Sequence, residues 1–217
     1  MGSMPKSKIE WTDFTLNPVK GKCPVACDYC YARKMYDRFK WNPKVRFQPS
    51  VFNTLPKKPC KIFVGSTMEL FLFDDWMEFI LNRCEDFPHH IFQFLTKQPQ
   101  NLIKFSPFPD NCWVGVSATN QEQYKSALVG LAKIEAKVKY ISFEPLLEYI
   151  ATNPPYDLEG INWVIIGGCS GRQKFYPPEY WIQVIKSACD KAGIPIFEKN
   201  NLYPAGFRHL LRQEMPK

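Results

Sequence analysis

Short apolar runs recur along the chain and limit the folds it can adopt. Each run is four or five residues long and is followed by small or polar residues. They lie at residues 61–65, 91–95, 112–116, 138–142, 162–166 and 194–197, and an earlier strand is expected within 12–19. Apolar runs without strict alternation are typical of parallel strands buried on both faces. The sequence therefore predicts about six to seven parallel strands.

Amphipathic helical patterns lie between these runs. The expected helices, with their capping residues, are 28–40, 76–84 after Asp74 or Asp75, one that Thr119 or Asn120 caps, and 179–191 between Pro177-Pro178 and Gly193. Alternating strands and helices indicate βαβ units. A full eightfold barrel takes about 250 residues, and this chain has 217. We therefore predict an open, partial β/α barrel, with a doubly wound sheet as the alternative.

The composition favours one folded domain. Hydrophobic residues make up 45% of the chain, and one core suffices for this length. The predicted domain is 4–217, since Met1, Gly2 and Ser3 resemble the remnant of an expression tag. No stretch approaches the ~20 apolar residues of a membrane span. The absence of a leader and the reliance on free cysteines predict a reducing cytoplasm.

The net charge of +7 is concentrated between residues 20 and 61. One interpretation is a solvated helix face with charged loops. The other is attraction to a polyanion, with interleaved aromatic residues as stacking surfaces. Those aromatic residues are Tyr31, Tyr36, Phe39, Trp41 and Phe47. Both interpretations are open at this point, and nucleic acid is one candidate substrate class.

Cys23, Cys27 and Cys30 form the pattern C-x3-C-x2-C, with Tyr29 just before the third cysteine. Three thiolates can hold three corners of a cubane iron–sulfur cluster, whereas a ferredoxin would supply a fourth cysteine nearby. The fourth iron would then be open to another ligand. Two alternatives remain: a nucleic-acid-binding protein with structural zinc that also recruits Cys60, and an electron-transfer protein with an iron–sulfur cluster.

The cysteine pattern with its aromatic residue resembles the signature of the radical S-adenosylmethionine (SAM) superfamily. Other segments look like landmarks of a small, phage- and mobile-element-associated family of radical-SAM-like proteins of unknown substrate. These segments are 8–13, 17–18, 30–32, 95–97, 143–147 and 163–168. The chain departs from that family at Cys169, where we expect glutamate, and at Asn200, where we expect glutamine.

The resemblance implies two cofactors and one reaction type. Cys23, Cys27 and Cys30 would ligate a [4Fe-4S] cluster, and SAM would chelate the open iron. One electron from a reductant such as flavodoxin or ferredoxin would cleave SAM into methionine and a 5′-deoxyadenosyl radical. That radical would abstract hydrogen from a substrate, for which a nucleotide or nucleic acid is the preferred class. The cofactors carry this chemistry and the protein orients them.

The resemblance and the strand ends also imply roles for single residues. The expected cofactor-binding residues are Tyr29 and Tyr31 for adenine, Ser66, Thr67 and Glu69 for the methionine amino group, Ser117 and Ser142 for ribose or carboxylate, and Gly167 and Gly168 for close backbone approach. The expected catalytic residues are Lys97, Glu144 and Cys169, the last as a hydrogen donor. Each also has a structural interpretation as a cap, a turn or packing.

Overall fold

Seven parallel strands form one open sheet in this computed structural model, which describes residues 4–153, 156–170, 174–204 and 211–217. The prediction of a partial β/α barrel is confirmed. The strands of this sheet are β1 (Phe14–Leu16), β4 (Lys61–Val64), β5 (Ile91–Thr96), β6 (Cys112–Ser117), β7 (Val138–Phe143), β8 (Trp163–Ile166) and β9 (Ile196–Glu198). A separate antiparallel pair, β2 (Val19–Lys20) and β3 (Arg46–Phe47), follows β1.

The spatial order of the seven strands is the same as their order along the chain. Every neighbouring pair is parallel. A doubly wound sheet reverses its strand order at a switch point, so that alternative is wrong. Because all strands run in one direction, their carboxyl ends meet at one edge of the sheet.

In the described part of the chain, four α-helices connect the strands: α1 (Tyr31–Phe39), α2 (Asp74–Glu85), α3 (Gln121–Ala132) and α4 (Glu179–Ala192). The predicted start of α3 and both predicted boundaries of α4 are confirmed. Asn120 caps α3 by accepting a hydrogen bond from the Gln123 amide at 2.9 Å. Pro178 precedes α4, and Gly193 ends it in the left-handed conformation.

Two other helix starts differ from the prediction. The first helix begins at Tyr31 instead of residue 28, because the Cys30 side chain occupies the N-cap. The second begins at Asp74, so Asp74 and Asp75 lie in its first turn and Phe73 is the residue before it. Carboxylates in a first turn stabilise the helix through its dipole, so the acidic pair serves α2 without capping it.

Short 3-10 helices take the place of α-helices in two connections of the sheet within the described residues. Pro99–Phe105 lies between β5 and β6, and Tyr156–Leu158 lies between β7 and β8. Two further 3-10 helices, Pro49–Thr54 and Leu70–Leu72, accompany α1 and α2 in the earlier connections. The sequence patterns did not predict these 3-10 helices. The proposed tag remnant at residues 1–3 lies outside the described residues.

The sheet separates two hydrophobic cores. Alternate residues of β7 show the division, since Ile141 and Phe143 pack toward the helices while Val138 and Tyr140 face the barrel interior. The interior core consists mainly of large rings: Trp11, Phe63, Trp113, Tyr140, Trp163 and Phe197. Trp163 lies edge-on to Trp11 and to Trp113, with ring centroids 6.1 Å apart in each pair. Within the described residues, these rings fill much of the barrel interior.

Chain segments also cover both outer strands. Lys6 forms an antiparallel bridge with Phe14 on β1, and Gln213 forms one with Phe197 on β9. Trp163 donates its indole N–H to the Glu214 carbonyl at 2.9 Å, which ties the second segment to the interior core. Covered edges resist pairing with other chains. None of the helices in the described ranges has the length and apolar character needed to cross a membrane.

We predict that Gly115→Ala destabilises the protein by about 1–3 kcal/mol through overpacking. Gly115 pairs with Tyr140 across β6 and β7, and an added Cβ would lie 2.4 Å from the Tyr140 ring. The ring has little room to move, because its hydroxyl donates to the Phe94 carbonyl at 2.7 Å in a fully buried site. Urea unfolding measures the loss.

The second variant Gly115→Ala/Tyr140→Leu supplies the control. The smaller side chain removes the clash, so the two substitutions together should cost less than the sum of the separate losses. Equal stability of Gly115→Ala and the unsubstituted protein would contradict the packing described for the interior.

Candidate active site

A cavity of about 300 Å³ opens at the carboxyl edge of the sheet. Its volume is at the lower end of the range of small-molecule sites. The three cysteines of the C-x3-C-x2-C loop line one side, and residues that follow the strands line the other. The floor is apolar and consists of Ile9, Trp11, Phe63 and Leu95. The filled interior core therefore forms the bottom of the cavity.

The cysteine loop lies between β2 and α1, and Arg33 holds both of its ends. The Arg33 guanidinium donates to the Cys23 carbonyl at 3.0 Å, and the Arg33 amide donates to the Cys30 sulfur at 3.4 Å. The Cys30 amide donates to the Cys27 carbonyl at 3.0 Å. Ala26 adopts a φ of 54° at the turn. All three thiols are free and half-buried.

Lys97 is a second cation that acts on this loop, beside Arg33. Burial raises the pKa of the Cys27 thiol, and the positive charge of Lys97 opposes that rise. The Lys97 ammonium lies 6.0 Å from the centre of the Tyr29 ring and donates to the Ser117 hydroxyl at 3.4 Å. Burial also raises the pKa of Tyr29, and the nearby Cys27 adds to this effect. At the Cys27 sulfur the effect of burial outweighs that of Lys97, so the pKa of the thiol stays raised, and the raised pKa of Tyr29 keeps the phenol neutral.

A mostly buried ion pair forms the opposite wall. Lys199 is 8% exposed and its ammonium contacts the Glu144 carboxylate. A second carboxylate, that of Glu10, lies 3.8 Å from the same ammonium. Glu144 is one of the residues predicted from the sequence, whereas Glu10 was missed. Its position in the segment 8–13, between the inward-facing Ile9 and Trp11, was the available signal.

The Glu69 carboxylate connects the loop after β4 to the end of β5, and Glu69 also lines the cavity. Its carboxylate accepts hydrogen bonds from the Thr96 hydroxyl at 2.7 Å, the Lys97 amide at 2.7 Å and the Phe71 amide at 3.4 Å. Burial raises the pKa of Glu69, and these donors oppose that rise. The carboxylate is thus engaged by local donors, as the structural interpretation of this residue expects.

Ser66 and Thr67 share one acceptor on the cavity wall. Their hydroxyl groups donate to the side-chain oxygen of Asn17 at 3.1 and 3.4 Å. The Tyr31 hydroxyl donates to the Ser66 carbonyl at 3.2 Å, which joins α1 to this loop. Asn17 was missed as a site residue, although the pair Asn17-Pro18 belongs to a segment that the resemblance singled out.

Packing requires a glycine at position 168, just after β8. A Cβ on Gly168 would lie 2.6 Å from the Asn201 carbonyl oxygen and 2.9 Å from that of Phe175. The Asn201 amide group donates to the Gly168 carbonyl and to the Ser170 hydroxyl, both at 2.8 Å. Cys169, between them, is 8% exposed and lines the cavity. Gly171, next along the chain, lies outside the described residues.

The cavity brings together most of the residues predicted from the sequence. Those lining it are Cys23, Cys27, Cys30, Tyr29, Tyr31, Ser66, Thr67, Glu69, Lys97, Ser117, Glu144, Gly168 and Cys169. Ser142 and Gly167 do not line it. Ser142 faces the same side of the sheet as Ser117, its register partner, but is fully buried. Within the described part of the chain its hydroxyl has no hydrogen-bond partner.

Cys60 lies at the edge of the sheet where the parallel strands begin, whereas the cysteine loop lies at the carboxyl edge. It directly precedes β4, whose four residues span about 13 Å, and its sulfur lies 3.4 Å from Nδ1 of His90. Burial raises the pKa of Cys60 to about 11. The zinc alternative required Cys60 beside the three loop cysteines, and this placement contradicts it. No group of three or more His, Cys, Asp or Glu side chains in the described ranges is arranged to hold a single metal ion.

Comparison with solved structures finds the same fold in an enzyme. A structure of spore photoproduct lyase complexed with dinucleoside spore photoproduct matches with a TM-score of 0.53 and 13% sequence identity. The match covers 87% of this chain and 64% of that chain, so this chain spans slightly less than two thirds of the lyase. A search of curated proteins finds no significant match. These comparisons do not test the association with phages and mobile elements, which stays a prediction.

A family model matches most of the chain. Its description is "Protein of unknown function (DUF5131)", and the match covers residues 6–202. The matched region contains the cysteine loop, all seven parallel strands and every residue predicted for the cavity. The chain therefore belongs to the DUF5131 family.

Proposed function

We propose that this protein is a radical SAM enzyme. The observation that carries the proposal is the position of the three cysteines: Cys23, Cys27 and Cys30 share one loop and line one cavity at the carboxyl edge of a parallel half-barrel. Active sites of parallel barrels lie at that edge. The matched solved structure is also a radical SAM enzyme, which supports the same class of reaction.

The residues at this site fit a [4Fe-4S] cluster with one open iron. They offer three free thiols on one short loop, and Arg33 holds that loop at both ends. Cys60 is too far away to supply a fourth thiolate. Cys23, Cys27 and Cys30 would hold such a cluster, which, once reduced by an external one-electron donor and with SAM on its open iron, would supply the electron for reductive cleavage of SAM.

The chain's own residues bind and orient in this proposal. The Tyr29 ring, held between Lys97 and the cysteine loop, offers an apolar face for adenine. The apolar floor excludes water from the reacting centre. Ser66 and Thr67, already oriented by Asn17, offer hydroxyl oxygens to an ammonium group. Glu69 supports this wall through the Lys97 amide, so we assign it a positioning role.

Lys199 and Glu144 supply the charged side of the cavity. The buried ammonium is shared by two carboxylates, so it is held in place before any ligand enters. Desolvation strengthens its interaction with an anionic group of a ligand. We assign Glu144 the role of an acceptor for ribose or substrate hydroxyl groups. Lys97, on the other wall, can neutralise a ligand carboxylate.

We propose a nucleotide or a nucleic acid as the substrate class. The matched lyase is complexed with a dinucleoside, and the basic segment around the cysteine loop attracts phosphate. The reaction also needs a one-electron donor, for which a flavodoxin or a ferredoxin is suitable.

We predict that each of Cys23→Ser, Cys27→Ser and Cys30→Ser abolishes cluster assembly, because serine is a poor ligand for these irons. After anaerobic reconstitution the unsubstituted protein should contain about four iron atoms per chain and cleave SAM when dithionite is added. Cys60→Ser is the matched control and should retain both properties. Iron analysis and chromatographic detection of 5′-deoxyadenosine provide the measurement.

Two results of the same experiment would contradict the proposal. Bound zinc without iron would indicate a structural metal site. A cluster that forms but leaves SAM intact would indicate an electron-transfer protein.

We also propose Cys169 as the group that returns a hydrogen atom to the substrate radical. Its S–H bond would break as a C–H bond forms on the product, leaving a thiyl radical on the sulfur. Cys169→Ala should therefore still release 5′-deoxyadenosine but lose or divert product formation from an added oligonucleotide. Cys189→Ala, which changes a fully buried cysteine outside the cavity, should leave product formation intact. Unchanged product yield in Cys169→Ala would exclude this role.

A further inference from the structure

The outer face of α1 and the segment just after it expose several large side chains to solvent. Tyr31, Met35 and Phe39 are spaced four residues apart and therefore lie along one side of the helix. They are 53%, 36% and 50% exposed, and Trp41, just after the helix, is 48% exposed. We call these four side chains, three aromatic rings and one methionine, the aromatic platform. In the part of the chain that the structure describes, no element covers it.

The opposite side of α1 is firmly attached to the rest of the protein. Ala32 and Tyr36 are buried, and the Tyr36 hydroxyl accepts a hydrogen bond from the Gly21 amide at 2.8 Å. Trp41 packs edge-on against Tyr36, with ring centroids 5.4 Å apart. The platform is therefore presented on a fixed helix.

Two of the exposed rings stack on each other, and a guanidinium group lies beside one of them. Phe39 and Trp41 are stacked, with centroids 5.4 Å apart and an angle of 24° between their planes. The Arg38 guanidinium lies 5.2 Å from the centre of the Phe39 ring. Exposed aromatic faces flanked by arginine and lysine are the chemistry on which single-stranded nucleic acids stack their bases.

The positive charge of the protein is concentrated in the segment of the sequence that contains the platform. Residues 20–58 contain ten lysines and arginines but only two aspartates, a net charge of +8, while the whole chain has +7. One of those aspartates, Asp37, is already paired with Lys22. The remaining chain is nearly neutral, so the attraction to a polyanion comes from this segment. Lys34, Arg38 and Lys40 are all exposed beside the platform.

The platform leads directly to the cavity. Tyr31 is its first residue and also lines the cavity, while Cys30 is the N-cap of the same helix. The nine residues of α1 span about 13 Å, which corresponds to a few nucleotides of an extended strand.

We propose that the aromatic platform and its surrounding basic residues bind single-stranded nucleic acid and direct one nucleotide into the cavity. The bases stack on Phe39 and Trp41, and the phosphates contact Lys34, Arg38 and Lys40. The delivery of a nucleotide to a reacting centre rests on the proposed function, whereas the binding itself does not.

Fluorescence anisotropy with labelled single strands of about ten nucleotides tests the binding on the full chain, before and after reconstitution. The oligonucleotides are oligothymidylate and oligouridylate. Phe39→Ala and Trp41→Ala should each weaken the affinity about tenfold, because each removes a stacking surface. Trp41→Phe should restore most of the loss. Tyr180→Ala, which removes another exposed ring, should have no effect.

The charged residues have a separate readout. Lys34→Gln/Arg38→Gln should weaken binding and reduce the slope of log affinity against log salt by about one to two. Lys125→Gln, at an exposed position on α3, should leave the slope unchanged. Tighter binding of the thymidylate or of the uridylate strand identifies DNA or RNA as the ligand, and either result supports the proposal.

Three outcomes would overturn it. The first is failure of either strand to bind at low salt. The second is binding that Phe39→Ala and Trp41→Ala leave unchanged, with acidic ferredoxin or polyglutamate binding equally well. The third is a dimer in solution that Phe39→Ala dissociates. Because binding is measured without SAM cleavage, its failure leaves the proposed enzyme class intact, and the absence of SAM cleavage would not affect the binding result.

Discussion

The rings that fill the lower half of the barrel interior determine where this protein can hold a ligand. Trp11, Trp113, Tyr140 and Trp163 pack against one another or their neighbours and are almost completely buried. Among the residues that the structure describes, the cavity opens at the end of the interior where the parallel strands finish. The cysteine loop lies over that end, so the same packing that stabilises the fold also positions the three thiols above an apolar floor.

Charged groups at this edge are retained at a cost. Burying an ammonium and a carboxylate together rarely stabilises a protein more than apolar packing does. Lys199 is nevertheless mostly buried between Glu144 and Glu10, and Lys97 faces Tyr29 at the other wall. Their shared position around one cavity is consistent with a site that selects a ligand carrying both polar and apolar parts.

The sequence predicted the elements better than their contacts. Continuous apolar runs such as residues 112–116 could be recognised as strands, because a strand buried on both faces has no polar side. The 3-10 helix Pro99–Phe105 was not, because its buried residues Leu102 and Phe105 follow a short period that a brief segment hardly reveals. The pairing of Glu10 with Lys199, 189 positions along the chain, depends on strand order. The burial of Ser142 depends on register, which a single strand does not display.

We propose that Cys23, Cys27 and Cys30 hold a cluster whose fourth iron accepts SAM. Electron paramagnetic resonance of the reconstituted, dithionite-reduced protein, recorded with and without SAM, tests it most directly. We expect the signal of a reduced [4Fe-4S] cluster, and we expect its shape to change when SAM is added, because the cofactor coordinates the open iron. A signal that SAM leaves unchanged, or the absence of any cluster signal in protein that retains its fold, would contradict it.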